Sequence, residues 1–261
     1  MPSAGFEATL NLRPVGSSKR VFRSAKPGTS LESATELDET LRIASIIDLR
    51  GPWEKKKDRI PETDKPAQQL RLSVDLSHNV IGAVLRSLSW RCICVTLYYA
   101  LTFRWTMAKR IAVQGSFLNK PGGLTRFYIV LLDNHGDEFN RIFRFLTEKS
   151  HFPVLIHCSA GKDRTGILSA LIHRLMGTPD ADILKDYLLS NKGLESVQTL
   201  LEKEVDKMGM CVNEFAGCKE EAMIGFLDHL DTRYGGVHSY LESIGVSRAE
   251  QDLVRTNLLD V

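Results

Sequence analysis

Apolar residues recur along this chain in two rhythms. Four short runs, 19–23 around Val21 and Phe22, 43–49, 69–74 and 154–156, are β-branched or alternating and end at turn or polar residues. They predict strands. Elsewhere apolar residues return every three or four positions, which predicts helices over 124–132, 137–148, 180–189, 194–207, 214–230, 237–244 and 247–259. Residues 1–18 read as a loose lead-in. Ser30 or Ser33 is placed to cap a helix that ends near Leu41, with Leu31, Ala34 and Leu37 on one face. The stretch 53–65 reads as a charged loop or a short helix. Strand, helix, strand, strand, helices, strand, helix predicts an α/β sandwich with a mostly parallel sheet flanked by helices.

The segment 80–113 departs from this order. It is too long for a strand and has helical spacing, yet apolar residues cover most of its circumference. Two readings stay open: a buried or lid-forming helix pair, and a helix lying at a membrane interface. A bilayer span is disfavoured because Arg91 and Arg104 interrupt the run and its uncharged part, 92–103, is shorter than the roughly 20 residues a span requires. The start of the chain lacks a charged leader followed by an apolar run, so no signal peptide is expected.

Composition adds little, but charge distribution adds much. The 261 residues are 43% hydrophobic and 25% charged, with a formal net charge of +2. Those values fit a globular chain with a full core and give no reason to expect nucleic acid. Between Asp75 and Asp133 there is no acidic residue, whereas Arg86, Arg91, Arg104, Lys109, Arg110, Lys120 and Arg126 fall inside that interval. The five cysteines form no disulfide or zinc spacing, which predicts a reducing, cytoplasmic setting.

Candidate chemistry sits between the fourth strand and the helix after it. His157-Cys158-Ser159-Ala160-Gly161-Lys162-Asp163-Arg164-Thr165-Gly166 follows Val154-Leu155-Ile156 and leads into an apolar-periodic segment at 167–176. A loop there meets a helix N-terminus, where unpaired N–H groups and the helix dipole favour an anion. Cys158 opens the loop as nucleophile and Arg164 closes it with a planar fork that matches two phosphoryl oxygens. Backbone of Ser159, Ala160, Gly161, Lys162 and Gly166 lines the cradle, and the glycines allow close approach. Thr165 can donate its hydroxyl to the departing thiolate. The chemistry is phosphoryl transfer through a phosphocysteine, and it calls for no metal or other cofactor. Ligands of parallel sheets bind at the carboxyl ends of strands, where Cys158, Asp48 and Asp75 all fall. Asp48 reads as structural, a partner for Arg50 or Arg23. The leaving group needs a proton, and Asp75 or Asp163 is the candidate acid. Lys162 reads either as a solvated charge or as a contact for a second phosphate.

The loop string resembles the signature of cysteine-dependent phosphatases. More closely, it is similar to the atypical tyrosine/lipid phosphatase family of bacteria and fungi, which includes a secreted mycobacterial phosphatase. Asn11-Leu12-Arg13, Phe22-Arg23-Ser24-Ala25, Ile47-Asp48-Leu49-Arg50, Asp186-Tyr187-Leu188-Leu189-Ser190-Asn191 and Tyr234-Gly235-Gly236 match that family's pattern in order, so the likeness covers nearly the whole chain. It implies a single phosphatase-like domain over 1–261, with 80–113 as a helical lid insertion. It also implies activity on phosphotyrosine, in some members phosphoserine or phosphothreonine, and on phosphoinositides. The partners implied are a phosphoprotein or a phosphoinositide, with peripheral membrane contact through 80–113 as a further option. A lysine at the position of Lys162 also occurs in tensin-type lipid phosphatases, and an aspartate before the loop arginine in myotubularin-type ones. The chain departs from the family at Pro14-Val15-Gly16, where an acidic residue and a glycine-rich turn are usual. It departs again in its basic lid region.

Overall fold

The computed structural model describes residues 9–28, 36–56, 69–78 and 80–259. Five strands form one sheet: β1 (Arg13–Pro14), β2 (Val21–Ser24), β3 (Ser45–Asp48), β4 (Leu70–Ser73) and β5 (Val154–His157). Their spatial order is β1-β2-β5-β3-β4. Only β1 runs antiparallel to its neighbour; β2, β5, β3 and β4 are mutually parallel. The mostly parallel sheet expected from the pattern is therefore present. The lead-in reading is corrected in part: Arg13 and Pro14 pair with Arg23 and Phe22 and form the sheet's edge. That strand is two residues long and ends in proline, so it has no periodicity to detect.

Alternation along the strands divides the core. Val21, Ile47, Val154 and Ile156 face one side, and Phe22, Ile46 and Leu155 the other. The first face carries most of the helices; the second is covered by Leu12, Leu37 and Ile43. After β3 comes the one-turn helix α1 (Pro52–Lys55). Residues 57–65, the rest of the predicted charged loop, lie outside the described residues, as do Ser30 and Ser33. Of the helix expected up to Leu41, the described residues Glu36–Thr40 form a wide helical turn.

The 80–113 segment is three helices, α2 (Val80–Arg86), α3 (Trp90–Leu101) and α4 (Trp105–Gly115). Ser89 caps α3 by accepting from the Cys92 N–H. No residue of α3 is buried, and α4 buries Ala108 and Ala112, so of a buried or a lid-forming helix pair the buried form does not hold for α3. Then follow α5 (Gly123–Asn134) and α6 (Gly136–Phe145), β5, and α7 (Asp163–Leu175). Helices α8 (Asp180–Gly193), α9 (Gln198–Met208), α10 (Val212–Phe215), α11 (Glu220–Tyr234), α12 (Val237–Ser243) and α13 (Arg248–Leu259) complete the chain. Pro179 holds the N-cap position of α8, and Asp180 pairs with Arg174 at 3.0 Å. Helix α7 buries every residue from Thr165 to His173. It is apolar nearly all round because it is a core helix, and that fixes the site at its N-terminus.

Candidate active site

Register places the site. Ser24, His157 and Asp48 are Cα partners at the carboxyl ends of three adjacent parallel strands. The next residues, Ala25, Cys158 and Leu49, form the rim, and the Leu49 N–H donates to the His157 carbonyl at 2.9 Å. Cys158 stands at the middle of that rim and is 3% exposed. Residues 158–162 then turn into α7, whose first turn contains Asp163, Arg164 and Thr165. The turn needs glycine at 161: its φ is +67°, and a Cβ there would lie 2.1 Å from the Ser24 carbonyl oxygen.

What shapes the loop is a set of long-range hydrogen bonds to its carbonyls. Asn11 Nδ2 donates to the Ala160 and Gly161 oxygens at 3.2 and 3.0 Å. Arg23 donates to the Gly161 oxygen at 2.9 Å, and the Lys26 N–H to the Ser159 oxygen at 3.1 Å. Three successive carbonyls are thus drawn outward. In trans peptides the partnered N–H points the opposite way, so the N–H groups of 160, 161 and 162 turn inward. Arg23 is itself fixed by Asp186 at 2.7 Å, and Asp186 also takes Arg13 at 2.9 Å. Burial would raise the Asp186 carboxyl, but His173, Arg23 and Arg13 hold it well below the usual carboxylate range. Burial and Arg23 lower the Arg13 guanidinium to about 10. Asp48 pairs with Arg50 at 2.9 Å, and of the two partners weighed for it Arg23 is excluded.

Arg164 is held by Glu54 of α1. Its NH1 donates to Glu54 Oε2 at 2.6 Å and its NH2 to Oε1 at 2.7 Å, while NH1 also reaches the Leu49 carbonyl at 3.3 Å. The Ser159 hydroxyl donates to Oε1 and the Gly51 N–H to Oε2. Burial would raise the Glu54 carboxyl; the Arg164 hydrogen bonds and charge, with Ser159, bring it down to about 2. A guanidinium has five N–H donors. Glu54 and Leu49 take both of NH1 and one of NH2. Nε and the second NH2 hydrogen have no partner among the described residues. They form the side-on fork that fits two oxygens of a phosphoryl group.

Behind the loop is a buried polar chain. Lys162 Nζ donates to Asp163 Oδ1 at 2.8 Å and to the Gly217 carbonyl at 3.3 Å. Tyr128 donates to the same Asp163 oxygen at 2.7 Å and shares a 2.7 Å hydrogen bond with Tyr187. Lys162 is 3% exposed, so it is not a solvated charge. Burial would lower its ammonium, but Asp163 raises it. Asp75 lies after β4, its Oδ1 accepting from the Ser77 N–H at 2.8 Å. That oxygen abuts Gly51, where a Cβ would come within 2.9 Å of it. Asp75 thus borders the turn whose N–H holds Glu54.

A sequence profile described as the tyrosine phosphatase family matches residues 8–260. The chain belongs to this family. A tyrosine-protein phosphatase of Nostoc commune is 30% identical over 159 residues, 58% of this chain and 54% of that protein. The triple specificity protein phosphatase PtpB of Mycobacterium tuberculosis is 28% identical over 121 residues, 41% of this chain and 44% of that protein. The chain thus spans about half the length of these curated relatives. The core catalytic domain of the PP-IP phosphatase SIW14 from Saccharomyces cerevisiae aligns at 18% identity over 77% of this chain and 96% of that one, with a TM-score of 0.33, a superposition too loose to build on.

The structure places Cys158, Ser159, Ala160 and Gly161 in the loop after β5, and Arg164 and Thr165 in the first turn of α7. Gly166 faces elsewhere, with the Tyr187 ring 3.2 Å from where its Cβ would be. Thr165 Oγ1 is buried and has no hydrogen-bond partner among the described residues. The sequence reading missed Glu54, Asn11, Arg23 as a loop partner, and Tyr128. Glu54 carries a detectable signal: Pro52 and Glu54 in the first turn right after a strand end are a helix-start pattern.

Proposed function

We propose that this chain is a phosphoric monoester hydrolase that works through a phosphocysteine on Cys158, with phosphotyrosine as its substrate class. One observation carries the reading. Arg164 is clamped end-on by Glu54 with its side-on fork left open, beside a loop whose carbonyls are drawn away from Cys158. Fixed donors aimed at a phosphoryl group are the main device for this chemistry. The Cys158 thiolate attacks phosphorus, and the bond to the leaving oxygen breaks as that oxygen gains a proton. Water then attacks phosphorus while the carboxylate that gave up its proton takes one from the water, the sulfur–phosphorus bond breaks, and inorganic phosphate leaves. The orphaned Thr165 hydroxyl supplies a hydrogen bond to the thiolate that reforms. We assign the proton to Asp75. Asp163 takes the Lys162 ammonium and the Tyr128 phenol on one oxygen, so it serves as a clamp for Lys162. Lys162, spent on Asp163 and Gly217, gives no support to a second-phosphate contact, which favours an aryl phosphate over a polyphosphorylated inositol.

The test is turnover of nitrophenyl phosphate, phosphotyrosine peptide, phosphothreonine peptide and phosphoinositide by the chain and by Cys158→Ser. Activity that survives the substitution removes the mechanism. A preference for phosphoinositide removes the substrate assignment alone.

A further inference from the structure

The hairpin of α3 and α4 is built inside out. On an ordinary surface helix the outward face is polar. In α3 the half-buried positions, Cys92, Thr96, Tyr99 and Ala100, are the ones with helical spacing, and they include its polar Thr96. Its exposed positions include Trp90, Ile93, Val95, Leu97, Tyr98 and Leu101. Helix α4 turns Ala108 and Ala112 inward and leaves Trp105 and Met107 exposed. The two helices approach closely where Cys92 meets Gly115, leaving no room for a Cβ at 115. The inward faces are therefore satisfied, and the apolar residues outside have no counterpart among the described residues.

The tip is extreme. Leu101 is 79% exposed and Phe103 is 81% exposed. Phe103 also adopts a left-handed backbone, φ 57°, which a bulky side chain rarely does. Arg104 lies over the Tyr99 ring at 5.6 Å and Arg91 over the Trp90 ring at 5.7 Å. Basic residues thus flank aromatic ones, with Lys109 and Arg110 further along α4 and no acid anywhere between Asp75 and Asp133. An exposed apolar surface of this extent marks an interaction site. Aromatic residues alternating with lysine and arginine, without acids, complement a bilayer whose headgroups are anionic. No helix among the described residues is long and apolar enough to cross a membrane, so contact is from one side.

We propose that the α3–α4 hairpin docks this protein on an anionic lipid surface, with Leu101, Phe103 and Trp105 inserted among acyl chains and Arg91, Arg104, Lys109 and Arg110 at the headgroups. The segment leaves the sheet at the end of β4, the carboxyl edge that also carries Cys158. This placement does not depend on the catalytic reading.

Sedimentation of the full chain with phosphatidylcholine vesicles, with and without phosphatidylserine, tests it. Binding is expected only with phosphatidylserine and is expected to fall as salt rises. Arg91→Ala with Arg104→Ala is expected to weaken partitioning about twenty-five-fold, at roughly five-fold per charge. Leu101→Ser with Phe103→Ser is expected to abolish it, and because both positions are exposed the fold and nitrophenyl phosphate turnover are expected to stay unchanged. Equal binding to neutral vesicles, or none to either kind, overturns the proposal. So does concentration-dependent dimerisation in ultracentrifugation that the Leu101/Phe103 variant removes while vesicle binding stays the same. Loss of turnover in Cys158→Ser with vesicle binding intact separates this claim from the catalytic one.

Discussion

Glu54→Gln isolates the part that Glu54 plays. The wild-type carboxylate takes two guanidinium donors at 2.6 and 2.7 Å. A glutamine keeps one oxygen and turns an amide NH2 toward the other donor. Arg164 then loses one charge-assisted hydrogen bond and faces a donor instead of an acceptor. Such a bond is worth about 1.5–3 kcal/mol. Complete rupture of a buried ion pair costs about 3–5 kcal/mol, and the partial exposure of Glu54 argues for the lower of the two ranges. At about 1.4 kcal/mol per tenfold, turnover is expected to fall roughly 10- to 100-fold. The assay is steady-state hydrolysis of nitrophenyl phosphate, with vanadate inhibition as an independent readout of oxyanion binding. Both kcat and kcat/KM are expected to drop and vanadate to bind less tightly. Unchanged kinetics, or tighter vanadate binding, would show that Glu54 competes with phosphate for Arg164 instead of holding it in place.

Three further outcomes follow from the same geometry. Burial lowers the His157 imidazole to about 4 in the fold, so the unfolded chain binds the extra proton between pH 6.5 and 4 and stability falls as pH falls through that window. At about 1.36 kcal/mol per pKa unit this amounts to roughly 3 kcal/mol, and urea melts across that range should show a loss that His157→Asn flattens. Asp75→Asn is expected to slow a poor leaving group about 100-fold or more while sparing nitrophenyl phosphate, whereas Asp163→Asn is expected to slow both alike. Gly161→Ala, which costs about 1–2 kcal/mol for the left-handed backbone alone, also meets the Ser24 carbonyl, so a lowered melting temperature and lost turnover are expected; normal values for both would contradict the loop geometry.

The strands and the Cys158–Gly166 loop were legible because their signals are local. Val154-Leu155-Ile156 is a buried run, and Cys158 to Gly166 is contiguous in the chain. Parallel order then put Cys158 at a carboxyl edge without any need for the contacts. The loop's supports were not legible, because their partners are far away: Asn11 reaches residues 160 and 161, and Arg13 reaches 186. A two-residue strand has no period to reveal it. Glu54 was hidden differently, inside Glu54-Lys55-Lys56-Lys57-Asp58, which looks like a solvated charge run. Lys162 was misjudged because lysine is rarely buried unless paired, and its partner, Asp163, had been considered only as an acid.

Acid-quenched reaction of the protein with nitrophenyl phosphate, followed by mass spectrometry of the peptide that contains Cys158, tests the phosphocysteine directly. The expected result is one added phosphoryl group on Cys158, absent from Cys158→Ala and from vanadate-blocked protein. Turnover with no phosphoryl group on that peptide, or with one on another residue, would contradict the mechanism at its centre.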